Sequence, residues 1–119
     1  MVLSLLSMFL LLQINIIYNL IIYYVDMAYH ITEYTYARAR KMGVTVKRST
    51  NKTKKIDVFS KKGKKLASVG ALGMNDFPTY IQKKGLTFAK TRRRLYRMRH
   101  ERDRHIKGSR GWYADKLLW

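Results

Sequence analysis

The chain has 119 residues, with 25 Lys and Arg against 7 Asp and Glu, which gives a formal net charge of +18. That length allows one modest domain, and the absence of Cys excludes disulfides, thiol chemistry and Cys-based zinc sites. All 25 basic residues follow position 37, so the sequence predicts an apolar N-terminal helix, residues 1–26, joined to a basic α+β module, residues 27–119. An aromatic content of 13% is too high for a disordered basic tail and predicts that the module folds.

The N-terminal segment has the length and composition of a membrane anchor. Residues 2–25 contain no charged side chain, and as a helix they would extend about 36 Å, enough to cross a hydrocarbon layer of roughly 30 Å. Tyr18, Tyr23 and Tyr24 crowd its C-terminal half, as interfacial aromatic side chains do. If the segment spans a membrane, the Lys and Arg that follow it keep the module on the cytoplasmic side.

Two other interpretations of this segment stay open. An Ile- and Leu-rich helix can also bind a protein partner in a large assembly, and translation can begin at Met27, the first residue of the module. A secretory signal peptide is disfavoured, because the segment lacks a basic N-terminal region and a small-residue cleavage site.

The module begins with a short predicted helix over Thr32 to Met42. Thr32 can cap its N-terminus, and Gly43 can end it. The face predicted to pack inward comprises Tyr29, Tyr36 and Ala37. Ala39 is predicted to face solvent.

The next part of the chain alternates apolar and polar residues with a period of two. Val44 and Val46, then Ile56 and Val58, and then Leu66–Val69 indicate three strands. With a turn at residues 60–64, they predict a small antiparallel meander that is apolar on one side and carries Lys on the other.

Glycine and capping residues follow the meander. Gly70 and Gly73 indicate turns rather than a phosphate-binding loop, because the fuller spacing and the following helix N-terminus are missing. Asn75 or Asp76 can cap a second short helix, which has Pro78 in its first turn and ends at residue 85.

The longest predicted helix runs from Thr87 to about His105 and is rich in arginine. Its narrow apolar stripe comprises Phe88, Leu95 and Met98. Arginine forms forked hydrogen bonds to phosphate and carboxylate, so we expect the arginines of this helix to be the main contact with a polyanion or an acidic surface. The predicted binding residues are Arg92, Arg93, Arg94, Arg97, Arg99, Arg102 and Arg104, with Lys61, Lys62, Lys64 and Lys65 of the meander.

The aromatic C-terminal segment, residues 112–119, is predicted to pack over the long helix and the sheet, because chain ends fray unless they are held.

One polar cluster, residues 100–105, contains the side chains that could bind a metal or take part in catalysis. Glu101 and His105 are four apart, and His100 and Asp103 are three apart. Either pair could hold a metal, but the neighbouring arginines oppose cation binding. The sequence therefore predicts no catalytic residues, no metal and no cofactor, and a nuclease-like activity at His100, Glu101 and His105 is the enzyme alternative.

The order of features from Leu66 to Trp119 carries a resemblance. These features are the step Val69–Gly73, the pair Asp76–Phe77, the Arg-rich helix closing on Arg99 and His100, and the ending Gly111–Ala114 with Leu117–Trp119. They resemble a small uncharacterised family of basic proteins of large double-stranded DNA viruses, especially giant and algal viruses, with looser relatives in tailed phages. The link from His100 to Gly111 is shorter than in those looser relatives, and the apolar N-terminal segment is not a feature of the family. The resemblance implies a viral origin and a place in the virion.

Composition and resemblance together favour a non-enzymatic virion structural protein over an enzyme. In this hypothesis the chain is a minor capsid or membrane-associated component, anchored through residues 2–25, whose basic module cements acidic capsid surfaces or the internal membrane. Its partners would be capsid or other virion proteins. The alternative is a sequence-independent nucleic-acid-binding protein that contacts DNA through the basic module.

Overall fold

The computed structural model describes residues 4–27 and 29–119, and within them the side chains outside residues 23–27. In chain order the elements are α1 (Leu5–Met27), α2 (Glu33–Met42), β1 (Thr45–Arg48), β2 (Lys54–Phe59), β3 (Lys65–Ala71), α3 (Phe77–Lys84), α4 (Leu86–Arg99) and α5 (Arg110–Leu118). This architecture confirms the predicted α+β fold, with an apolar N-terminal helix, an antiparallel sheet and an aromatic C-terminal segment. The predictions for the Tyr23 and Tyr24 side chains, and for a translation start at Met27–Ala28, involve side chains of residues 23–27 and residue 28, which lie outside the described part of the structure.

From Leu5 to Ile22, helix α1 lies outside the core of the module. Every described side chain from Leu5 to Ile22 is exposed, and this stretch of 18 residues has a mean hydropathy of 2.1. At 1.5 Å per residue, the 23 residues of α1 extend about 34 Å, which matches the roughly 30 Å hydrocarbon thickness of a bilayer. By length and composition, α1 is therefore able to cross a membrane.

Helix α2 is delimited by the two capping residues predicted from sequence. The Thr32 hydroxyl accepts a hydrogen bond from the Thr35 N–H at 3.4 Å, and Gly43 adopts the left-handed backbone conformation, with φ of 72°, that ends the helix. The predicted orientation of α2 was wrong, because Ala39 is buried and Tyr36 is exposed. The buried face instead follows Thr35 and Ala39, which are one turn apart.

The C-terminus of α5 explains this orientation of α2. Three α2 side chains donate hydrogen bonds to the last carbonyls of α5: Tyr34 to Trp119 at 3.1 Å, Thr35 to Leu117 at 2.9 Å, and Arg38 to Lys116. The last carbonyls of a helix have no partner within it, so these bonds satisfy groups that burial would otherwise leave unpaired. The contact also holds the chain end that the sequence predicted to pack back on the module.

The three strands form an antiparallel sheet in the order β1-β2-β3. Val46 pairs with Val58 and Ile56 with Val69, and all four side chains are buried. The predicted Lys-bearing face is not open at the central strand, because Lys55 and Asp57 are only 3% and 2% exposed. Burial of these charges is possible because each has its own set of hydrogen-bonding partners.

Helices α3 and α4 follow one another with Gly85 alone between them. As predicted, Asp76 caps α3. Helix α4, however, ends at Arg99 and not near His105: the His100 N–H caps it by bonding to the Tyr96 carbonyl at 3.0 Å. Residues 101–108 then form turns, which reverse the chain so that α5 packs against β3.

The predicted apolar stripe of α4 was also wrong. Phe88 and Met98 are exposed, and the buried residue of the helix is Ala89. Two turns further on, Tyr96 stacks on Trp119, with the ring centroids 4.3 Å apart and the planes 9° apart. The face of α4 that meets the core is thus chosen by the aromatic C-terminus and not by the aliphatic residues of α4 itself. Leu117 and Leu118, 0% and 1% exposed, complete that core, and burying each stabilises the fold by about 1.5–3 kcal/mol.

Candidate polyanion-binding surface

Three of the six acidic residues of the module lie in its interior. Asp57, Asp76 and Asp115 are each 1–2% exposed. Asp76 pairs with Lys55 at 2.9 Å, and Asp115 pairs with Arg97 at 3.0 Å. The Asp76 and Asp115 ion pairs connect neighbouring elements of the module, and the three buried carboxylates contribute little negative charge to the surface.

Asp57 is stabilised as a carboxylate mainly by neutral donors. Burial alone would raise its pKa, but hydrogen bonds from the hydroxyls of Ser49 and Ser68, both at 2.6 Å, from the Thr50 N–H and from Lys65 outweigh that effect. Together they lower the pKa of Asp57 to about 2. Of the basic groups on the surface around it, this enclosed carboxylate pairs with Lys65.

The basic residues divide differently. In the described part of the chain, five of the 25 Lys and Arg side chains form ion pairs with a carboxylate, namely Arg40, Lys55, Lys65, Arg97 and Arg104. The other twenty have no such partner there. The surface of the module is therefore strongly positive, as the composition predicted, and the excess charge faces solvent or a binding partner.

The seven arginines predicted to form one binding face fall into two groups. The inward arginines are Arg92, Arg93, Arg97 and Arg104, which are half-buried, and the outward arginines are Arg94, Arg99 and Arg102, which are exposed. Among the described contacts, the guanidinium groups of the outward arginines form no ion pair and no cation–π contact within the protein.

Each inward arginine makes a specific contact within the fold. The Arg93 guanidinium lies 4.0 Å from the centroid of the Phe77 ring, and that of Arg92 lies 5.4 Å from the centroid of Tyr80. Such cation–π contacts contribute about 0.5–2 kcal/mol each. Arg97 and Arg104 instead form ion pairs with Asp115, at 3.0 and 3.7 Å. Arg92, Arg93 and Arg97 attach α4 to its neighbours, and Arg104 attaches the turns that follow α4. The interpretation of all seven arginines as one contact surface therefore needs this division.

The predicted lysines lie apart from the arginines. Lys61, Lys62 and Lys64 are exposed at the turn between β2 and β3, whereas Lys65 pairs with the buried Asp57 at 3.3 Å. None of these four lysines lines the two described hollows that the arginines border. The lysine turn is thus a separate basic patch, and Lys65 has a structural role that the sequence did not indicate.

Three basic residues that sequence reasoning missed join the arginines instead. Lys90 lies beside Arg93 and Arg94 in a shallow hollow on α4, and Lys54 and Arg110 share a deeper cleft with Arg92 and Arg99. No local sequence signal marks Lys54 or Arg110, because they come from β2 and α5 and meet α4 only through tertiary packing.

The polar cluster at residues 100–105 separates into two small pairs. His105 Nε2 lies 2.7 Å from Glu101 Oε1, and His100 Nδ1 lies 3.4 Å from Asp103 Oδ2. Hydrogen bonds from His105 and then from Arg104 lower the pKa of Glu101. Over residues 4–27 and 29–119, no group of three or more His, Asp or Glu side chains is placed to hold a metal ion. Of the three residues in the nuclease hypothesis, Glu101 and His105 are in contact, whereas His100 pairs with Asp103.

Comparison with protein-family models, with curated proteins and with solved structures finds no match for this chain. The resemblance to a viral family therefore stays a prediction, and the functional argument depends on the geometry and charge of the module and on α1.

The division of the arginines leads to a first testable prediction. Replacing Arg94, Arg99 and Arg102 together by Gln is expected to weaken binding to random-sequence duplex DNA, used as a model polyanion, with no change in melting temperature. If all three contact phosphates, the slope of log K against log salt should become shallower by about 2–3. Electrophoretic retardation over a series of salt concentrations measures this slope.

The matched control removes the same charge from inward positions, as Arg93→Gln, Arg97→Gln and Arg104→Gln. This variant is expected to lower the free energy of unfolding by a few kcal/mol, because it strands the buried Asp115 carboxylate, and to change the salt slope less. Equal loss of DNA affinity in both variants at a temperature where both are folded would refute the division.

Proposed function

We propose that this protein is a non-enzymatic structural component that is anchored in a membrane by α1 and binds an acidic surface through its basic module. The observation that carries the proposal is the full exposure of α1. Its 18-residue stretch Leu5–Ile22 is 0% buried, although apolar side chains of this kind gain about 25 cal/mol for each Å² that leaves water. An apolar helix of this length, outside a core that is complete without it, is explained by a lipid environment.

The charge distribution supports the second half of the proposal. Asp57, Asp76 and Asp115 lie inside the module, whereas twenty Lys and Arg side chains have no carboxylate partner in the described part of the chain. This distribution produces a field that attracts negatively charged partners and repels other copies of the module. Since juxtamembrane basic groups are attracted to anionic headgroups by about 1 kcal/mol each, the module would lie against the membrane surface or bridge it to an acidic protein. In the viral setting implied by the resemblance, this is a minor capsid protein joining the capsid to its internal membrane.

Charged substitutions at the centre of α1 test the anchor. In Leu12→Arg with Ile16→Arg, each arginine is expected to oppose insertion by about 2.5–3.5 kcal/mol. The variant protein should therefore move from the membrane pellet to the alkaline-carbonate supernatant. Sedimentation of membranes from cells that express each variant gives the measurement.

Leu12→Ala with Ile16→Ala is the matched control. It shortens the same two side chains without adding charge, and it should stay in the membrane pellet, because α1 keeps its length and most of its apolar surface. If wild-type protein is itself extracted by carbonate, or if the arginine variant remains in the pellet, the anchor is excluded and α1 has to be assigned to a protein partner.

A second candidate function is sequence-independent binding of nucleic acid, and the outward arginines and exposed lysines favour it. A DNA-binding protein of this type would bind random-sequence duplexes with a steep salt dependence and would be recovered with the genome after virion disruption. A structural link between membrane and capsid would instead be recovered with the membrane and capsid fraction. Fractionation of virions separates the two candidates directly.

A further inference from the structure

A cleft of about 310 Å³ lies between strand β3, helix α4 and helix α5. Its apolar lining comes from Val69, Ala71, Met74, Ala114 and Leu118. Its volume is at the lower end of the range for sites that take small organic ligands. The cleft is thus large enough for a nucleotide-sized molecule and contains an apolar surface for the uncharged part of that molecule.

Five Lys and Arg side chains line this cleft: Lys55, which pairs with Asp76, and four others from three different elements, namely Lys54, Arg92, Arg99 and Arg110. In the described part of the chain, none of the four forms an ion pair with a carboxylate. This contrasts with the buried pairs Lys55–Asp76 and Arg97–Asp115, where the fold supplies a counter-charge. Four like charges around one cavity repel one another, and an anion bound among them would remove that repulsion.

Asp103 is the acidic residue that lines the cleft, and its carboxylate already has partners at the rim. It faces the His100 ring at 3.4 Å and lies against Gly111 in the first turn of α5, where the helix dipole favours a negative charge. It therefore leaves the four cations largely uncompensated.

Stacked aromatic rings form one wall of the cleft. The Tyr96 ring lies between Trp119 and His100, with a centroid separation of 4.3 Å to each. Burial first, and then the carboxylates of Asp103 and Asp115, raise the pKa of Tyr96 to about 12, so the phenol stays protonated at neutral pH. Tyr96 thus adds no negative charge to the cleft.

From this arrangement we propose that the cleft is a binding site for a phosphate monoester that carries an apolar or planar group, such as a nucleoside 5′-monophosphate. The phosphate binds among Lys54, Arg92, Arg99 and Arg110, and its organic group lies on the apolar lining formed by β3 and α5. A convex basic surface attracts any polyanion, whereas a cleft of this size accepts one phosphate with its substituent and excludes a duplex. The proposal concerns the module alone and does not depend on whether α1 enters a membrane.

Calorimetric titration of the full chain in detergent micelles, at about 150 mM salt to screen general attraction, tests the site. The probes are a nucleoside 5′-monophosphate, the same nucleoside without phosphate, and inorganic phosphate. We expect saturable binding of the monophosphate, about tenfold tighter than either of the other two, because each supplies only half of the contacts. Equal affinities for inorganic phosphate and the monophosphate would overturn the assignment, as would the absence of saturable binding.

Two pairs of variants separate the cleft from general charge attraction. Arg99→Gln with Arg110→Gln is expected to weaken monophosphate binding by about tenfold or more without changing the melting temperature, since both side chains are exposed. Arg94→Gln with Arg102→Gln removes the same charge outside the cleft and should weaken binding by less than about threefold. Equal weakening in the two variants would refute a specific site.

A competition experiment with vesicles that contain phosphatidic acid distinguishes a lipid ligand from a soluble one, because the headgroup of this lipid is also a phosphate monoester. Displacement of the bound nucleotide by these vesicles, but not by neutral ones, would assign the cleft to the headgroup. Failure of vesicles to compete would assign it to the soluble ester. The carbonate extraction of α1 variants reports only on the anchor, so the two proposals fail independently.

Discussion

Replacing Asp76 by Ala is expected to lower the free energy of unfolding by about 3–5 kcal/mol, the largest loss we expect from any single change of charge in this protein. The reason is the Lys55 ammonium, whose side chain is 4% exposed and lies 2.9 Å from the Asp76 carboxylate. Removing that carboxylate leaves a positive charge buried without a partner. Chemical denaturation of the full chain, followed by tryptophan fluorescence, measures the effect.

The Asp76 carboxylate accepts four hydrogen bonds, two at each oxygen. One oxygen accepts from the Thr79 N–H at 3.1 Å and the Thr79 hydroxyl at 2.6 Å. The other accepts from Lys55 and from the Tyr29 hydroxyl at 2.7 Å. Asp76 therefore caps α3, neutralises the Lys55 charge on β2, and accepts a hydrogen bond from Tyr29 in the segment between α1 and α2.

Glu33→Ala is the control for Asp76→Ala. Glu33 also pairs with a basic residue, Arg40, but the Glu33 side chain is 76% exposed, so its loss should cost no more than about 1 kcal/mol. In a double variant with Lys55→Met, the penalty for the stranded charge disappears, and Asp76→Ala should then cost clearly less than it does alone. Similar losses for Asp76→Ala with and without Lys55 would show that the buried charge is not the cause.

Acid should reproduce the loss of this ion pair in the wild-type protein. Burial raises the pKa of Asp76, but Lys55 and the donors Thr79 and Tyr29 outweigh burial and lower it below its usual value. The resulting stabilisation is complete above about pH 4, the unfolded-state pKa, and is lost as the pH falls through the lowered folded-state pKa. Burial and the same carboxylate raise the pKa of Tyr29, which keeps its hydroxyl protonated as a donor.

Those elements of the fold that depend on local chemistry could be predicted from sequence. Capping residues located α2 and α3, because Thr32, Gly43 and Asp76 act on neighbouring backbone groups. The alternation of apolar and polar residues located the strands, because successive side chains of a strand point to opposite faces of the sheet. The inner faces of α2 and α4 were not predictable in this way. They are selected by Trp119 and by the carbonyls at the C-terminal end of α5, which are 78 or more residues from their partners on α2.

The candidate site shows the same limit. The sequence predicted a basic surface and an arginine-rich helix, but Arg102 and Arg104 lie in the turns after α4 and not on it. The sequence also could not separate outward from inward side chains. Arg97 is inward because Asp115 is buried opposite it, and Arg93 is inward because Phe77 offers its ring face. Both partners lie on other elements, so no spacing within α4 marks the difference.

Gly70→Ala is expected to be nearly as destabilising as Asp76→Ala, at about 2–5 kcal/mol, for two additive reasons. Gly70 has a φ of 84°, where a Cβ atom costs about 1–2 kcal/mol. That Cβ would also lie 2.7 Å from Leu118 Cδ1 and 3.0 Å from Lys55 Cδ. Leu118 is 1% exposed and has little room to move, so overpacking adds about 1–3 kcal/mol. Thermal melting followed by circular dichroism measures the sum.

Gly63→Ala is the matched control, because it isolates the backbone contribution. Gly63 has almost the same φ, 87°, but a Cβ there would meet no atom within 4 Å. Its substitution should cost only about 1–2 kcal/mol. If both alanine variants melt at the same temperature, the approach of α5 to β3 at Gly70 is looser than described. Since Gly70 and Leu118 also line the cleft, a folded Gly70→Ala variant should lose affinity for the phosphate monoester as well, whereas Gly63→Ala should retain it.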